Sequence, residues 1–143
     1  MQNIQIMKIH TTNYQNTFIE VAPDCPVTTA EVPPLKLSGK TAANMQFEMI
    51  MEHPYQFTSD DVLFQCFALK NNIPRSGLKT AREQFFSKGQ PCLRASPLTK
   101  RYGWGVHSDQ EGKIALFGVG TKEYRKLSAD GSLKIVKAMR SGK

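Results

Sequence analysis

Apolar and polar positions along the chain change period several times, and each change marks an element. Residues 17–22, TFIEVA, are rich in β-branched and aromatic side chains and stop at Pro23, which predicts a short strand. Residues 23–40 then lose all periodicity and hold four prolines before Ser38 and Gly39, so a long irregular loop is expected there. In residues 42–52, AANMQFEMIME, Met45, Phe47, Met49 and Met51 alternate with polar neighbours as in a strand. Yet Ala, Met, Gln and Glu are good helix formers and Thr41 stands at the N-cap position. Helix is the favoured reading, with strand left open.

The next periods are clearer. Thr58 followed three residues later by Asp61 has the spacing of a capping box. Val62, Leu63, Cys66, Phe67 and Leu69 then give a broad apolar face, so a helix is predicted over 58–70, closed before Pro74. Asp60 and Asp61 have the look of a paired-carboxylate site, but capping accounts for both. A third helix is expected over 76–88, with Leu78, Ala81, Phe85 and Phe86 inward and Gly89 at its end. Tyr102, Trp104 and Val106 share one strand face, residues 109–112 turn, and residues 113–119 return, which predicts a hairpin. Thr121 opens a short helix over 121–130. Leu133, Val136 and Met139 recur at helical spacing, so a last helix is expected over 132–143.

Together these elements predict a single α+β domain. Its small antiparallel sheet would join the hairpin of about 101–119 to the 17–22 strand, under a cover of about five helices. Residues 1–9 are patternless and are expected to fray.

Composition changes this picture only where charge enters. The 143 residues carry a net charge of +7, but its distribution is lopsided. Residues 1–74 hold four Lys/Arg against seven Asp/Glu, whereas residues 75–143 hold fifteen against five. Cations gathered in one half raise the local potential and favour anionic partners, so nucleic acid or a phosphorylated small molecule is the expected class. No run of 18 apolar residues occurs and no secretory h-region opens the chain, so no membrane partner is expected. Three widely spaced cysteines and three scattered histidines lack the pairing of a disulfide framework or a metal site. A cytoplasmic protein with no cofactor and no metal is the expectation.

The candidate chemistry lies in residues 85–107, FFSKGQPCLRASPLTKRYGWGVH. Arg94, Lys100 and Arg101 stand in a proline-stiffened loop with Ser96 and Thr99, a set suited to phosphate or carboxylate. Trp104 offers a stacking face nearby. Arg101 and His107 share a strand face with Gly103 and Gly105 between them, which reads as a side-chain-free trough where something approaches closely. The expected anion-binding residues are therefore Arg94, Lys100, Arg101, Trp104 and His107. A second reading is enzymatic: Cys92, in an electropositive loop, acting as a nucleophile with His107 as its base. A third makes the 23–40 loop a protein-interaction surface. No Walker-type loop, G-x-G-x-x-G or G-x-S-x-G occurs, and no catalytic motif was found.

Several segments carry a resemblance. HTTNYQNTFIEVAPDCP (10–26), AEVPP (30–34), QFEM (46–49), HPYQFTSDDVLF (53–64), residues 85–107 and KAMRS (137–141) resemble a family of small bacterial and fungal proteins of unknown function. The likeness spans about His10 to Ser141. It implies no activity, cofactor or site residue, and because such proteins begin near the HTTNY motif, Met7 is an alternative start.

Overall fold

The computed structural model describes residues 9–142, so the expectations of fraying and of the alternative start fall mainly outside the described residues. It is an α+β fold. The elements run β1 (Thr17–Glu20), α1 (Ala42–Glu52), α2 (Ser59–Lys70), α3 (Leu78–Phe85), α4 (Pro97–Lys100), β2 (Trp104–Ser108), β3 (Ile114–Gly118), α5 (Lys122–Ser128) and β4 (Lys134–Lys137). The strand order is β3-β2-β1-β4. β2 is antiparallel to both β1 and β3, while β4 lies parallel to β1.

Local chemistry explains most of the boundaries. Thr41 and Asn44 form a full capping box at the start of α1, and Thr58 and Asp61 do the same for α2. These reciprocal bonds satisfy two amide donors that a helix start otherwise leaves without partners. The ambiguous residues 42–52 are therefore helical, with Ala43, Asn44, Gln46 and Ile50 on the buried side. The third helix is shorter than expected, because residues 75–77 form a 3₁₀ turn ahead of it. Asp109 closes the hairpin by accepting the amides of Glu111 and Lys113, and Gly112 takes the φ of +81° that the turn requires.

Two expectations are corrected. The C-terminal segment is not a helix over 132–143: Lys134–Lys137 pairs with β1, Thr17 to Lys134 and Phe18 to Ile135. The open edge of β1 supplies a row of backbone partners that outweighs the helical spacing of Leu133, Val136 and Met139. The sheet is consequently mixed rather than antiparallel throughout. Lysines at both ends of β4 leave the new edge charged, which discourages further pairing.

One sheet face carries the main core. Ile19, Val106, Ile114 and Leu116 pack there with Ile50 of α1, Val62 of α2, Leu93 and Leu98. A second cluster joins α2 to α3 through Phe64, Phe67, Phe85 and Phe86. α5 covers the opposite face of the sheet, where the Tyr124 ring meets Phe18 edge-on at 5.0 Å and its hydroxyl accepts the Val21 amide at 2.9 Å.

The segment from Thr11 to Asn13 is tied to the start of α2. Asp60 accepts the Thr12 amide and the hydroxyls of Thr11 and Thr12, each at 2.7 Å. Asn13 returns a bond by accepting the Asp60 amide at 2.9 Å. Asp61 meanwhile caps its own helix and pairs with Arg82 at 2.9 Å. Burial pushes the Asp61 carboxyl up, but the Thr58 amide and the Arg82 guanidinium outweigh it and hold it below the usual range. Both carboxylates are thus engaged in fastening the chain.

Candidate anion-binding site

The residues singled out in the sequence divide among four places. Lys100, the last residue of α4, and Arg101, its C-cap, line a cavity of about 390 Å³. The cavity's other walls are Pro34 and Lys36 from the 23–40 loop and Thr41, Ala42 and Ala43 from the start of α1. Ser96 caps the four-residue α4 by accepting the Leu98 amide, and Pro97 pre-sets its first turn. Thr99 is fully buried and donates to the Leu93 carbonyl at 2.7 Å. This tight turn fixes where Lys100 and Arg101 emerge.

The electrostatics of the cavity are one-sided. Lys36, Lys100 and Arg101 have no carboxylate partner among the described residues. The first turn of α1 contains no acid, so the positive end of that helix is uncompensated. Its capping box satisfies the Asn44 amide and leaves those of Ala42 and Ala43, both on the cavity wall, as donors.

The other residues do different work. Arg94 donates through Nε to the Lys137 carbonyl at 2.7 Å, while its own carbonyl accepts the Met139 amide, so it fastens β4 to the fold. Trp104 donates its indole N–H to the Glu31 carbonyl at 2.8 Å and packs on Phe47 at 5.3 Å. It anchors the loop rather than offering a bare stacking face. His107 meets the Tyr55 hydroxyl through Nδ1 at 2.7 Å, across a turn in which Tyr55 holds a left-handed φ of 60°. Burial pulls the His107 imidazole below its ordinary value, against the pull of Asp109 and Asp130.

The trough expected between Arg101 and His107 is filled by protein. A Cβ on Gly105 would stand 2.6 Å from Phe18 Cζ and 2.8 Å from Tyr124 Cε2. Gly103, at φ +82°, is closed over by Val27, Ala30 and Val119. The glycines admit aromatic rings and the 23–40 loop, not a ligand.

Among the described residues, no His, Asp or Glu is hydrogen-bonded to Cys92 as a base. Its thiol lies 3.9 Å from the Tyr14 hydroxyl, and His107 is engaged elsewhere with Tyr55. Burial and then the neighbouring Cys92 raise the Tyr14 phenol above its usual value, while Arg94 opposes them. Cys66, in the core, is pushed up to about 11 by burial, which keeps it a thiol. Among the described residues, no three His, Cys, Asp or Glu side chains are grouped as a metal site.

A larger cavity, about 620 Å³, opens between α1 and α2 and is lined by Met49, His53, Phe57, Phe64 and Leu69. Its two charged residues, Asp61 and Arg82, already neutralise each other. Of these two clefts, the smaller is the one whose cations lack a carboxylate partner among the described residues.

The family model described as a family of unknown function, DUF6157, matches residues 9–143. The chain belongs to that family. The matched region contains the Thr11–Asp60 fastening, the 23–40 loop and the cationic cleft alike. No curated protein and no solved structure matches the chain.

Sequence reasoning missed Lys36. It stands 64 positions before Lys100, inside a segment read as an irregular loop or a protein-interaction surface and not as part of the anion site. The local signal was the KLSGK turn, in which Lys36 and Gly39 bridge and the Gly39 amide donates to the Lys36 carbonyl at 3.0 Å.

Proposed function

We propose that this protein is a binding module for a phosphate-bearing anionic partner, held in the cleft of Lys36, Lys100 and Arg101. One observation carries the reading. Three cations from two distant segments line one cavity with the N-terminal turn of α1, and none has a carboxylate partner among the described residues. An arginine fork, two ammonium groups and helix-start amides are the donors that phosphate oxygens take. The free thiols Cys25, Cys66 and Cys92 support a reducing compartment, the cytoplasm, as its location.

Calorimetric titration with inorganic tripolyphosphate tests the reading. Lys100→Ala with Arg101→Ala is expected to weaken binding about tenfold or more, since charge-assisted bonds are the strong ones. Equal affinity in a variant with an unchanged unfolding midpoint contradicts it.

A further inference from the structure

The wall of the cleft that the 23–40 loop provides has a second character. Pro34 and Lys36 line the cavity, while the residues interleaved with them are apolar and uncovered. Val32 is 66% exposed, Leu35 73% and Leu37 109%. Isolated exposed apolar residues are ordinary, but three within six positions form a concentrated patch.

The loop does not hang loose. The Glu31 amide donates to the Tyr102 carbonyl and the Trp104 indole to the Glu31 carbonyl, each at 2.8 Å. Buried Asn44 donates to the carbonyls of Pro33 and Pro34 at 3.0 and 3.3 Å. Beyond them the Lys36–Gly39 bridge sets Leu37 and Ser38 at the tip of a turn. The fold therefore holds a leucine out in solvent at the end of a fastened turn. Lys36 precedes it directly and lines the cavity with Lys100 and Arg101, while Lys40, past the turn, is paired with Glu48 at 2.7 Å.

We propose that this surface docks onto an anionic phospholipid bilayer. Leu35 and Leu37 enter the acyl boundary while Lys36, Lys100 and Arg101 take headgroup phosphates. The inference rests on the cleft reading and names the source of its phosphate. Nucleic acid would satisfy the cations but offers no apolar medium for the leucines. A bilayer interface sets dense phosphates beside hydrocarbon, which matches an apolar tip next to Lys36 and the cationic cleft. Neither component suffices alone, since stable surface attachment takes an apolar insertion together with a basic patch. The sequence argued against a membrane partner from the want of a spanning run, and surface docking requires none.

Co-sedimentation of the full chain with vesicles tests this, using phosphatidylcholine with and without phosphatidylglycerol. Binding is expected only to the mixed vesicles and is expected to fall with salt. Leu35→Ser with Leu37→Ser should weaken vesicle binding about tenfold or more. That variant should keep its tripolyphosphate affinity and its unfolding midpoint, because both side chains are already in solvent. Lys100→Ala with Arg101→Ala should weaken both. Undiminished vesicle binding by the leucine variant overturns the inference, as does an oligonucleotide that the wild type holds more tightly than vesicles. Wild type that binds tripolyphosphate but no vesicle overturns the membrane inference alone. Wild type that binds neither overturns the cleft reading as well.

Discussion

Gly105 lies beneath Phe18 so closely that a methyl group there would stand 2.6 Å from the ring's Cζ. The contact joins β2 to β1 and, through the Phe18–Tyr124 pair, to α5. Because Tyr124 Cε2 would also be met at 2.8 Å, the ring pair has no simple direction in which to yield. Gly105→Ala is expected to destabilise the fold by about 1–3 kcal/mol, the usual cost of overpacking a well-filled core. Urea denaturation checks this, and an unchanged midpoint would mean that the rings move freely.

Asp60 holds the Thr11–Asn13 segment in place of water. Its carboxylate takes three donors at 2.7 Å, and its side chain is buried with Thr12. Asp60→Ala is expected to cost roughly 2–4 kcal/mol, since hydrogen bonds to a buried charge are lost and the Thr12 amide is left without its acceptor. Asp60→Asn should recover part of that loss, because one amide oxygen still accepts. Equilibrium unfolding of the two variants measures the difference.

His107 makes stability depend on pH. Burial lowers its folded pKa below the ordinary value near 6.5, so the unfolded chain takes the proton first. The contribution is complete above about pH 6.5 and is lost as pH falls through the depressed folded value. The groups facing the ring are the Tyr55 hydroxyl, Phe117, Asp109 and Asp130, and the two acids oppose the shift without reversing it. Denaturation midpoints should decline from pH 7 to pH 5, and His107→Gln should flatten that decline. Asp61, also depressed, acts with the same sign in a separate window, below the ordinary carboxylate range.

Much of the fold was legible because its signals are local. Thr58 with Asp61, the 109–112 turn and the alternation around Val106 each specify an element within a few residues. Residues 132–143 were misread because their fate depends on a distant edge. The spacing of Leu133, Val136 and Met139 suits a helix, yet the backbone row along Thr17–Glu20 takes the segment as a strand. Lys100 and Arg101 were legible as a charged pair. Lys36 was not, since its loop is brought to α1 by contacts between segments, the Asn44 bonds to Pro33 and Pro34 and the Lys40–Glu48 pair. Trp104 was read as a stacking face and His107 as sharing a strand face with Arg101, and the structure engages both in internal bonds.

The central claim is that anions bind where Lys36, Lys100 and Arg101 meet the start of α1. The most direct measurement is a two-dimensional ¹⁵N–¹H titration of the full chain with inorganic tripolyphosphate. The largest amide shifts are predicted at Ala42, Ala43, Lys100 and Arg101, saturating together, with little change at His107 or Arg82. Saturable shifts centred on His107 or Arg82, or no saturable shift at all, would contradict the account.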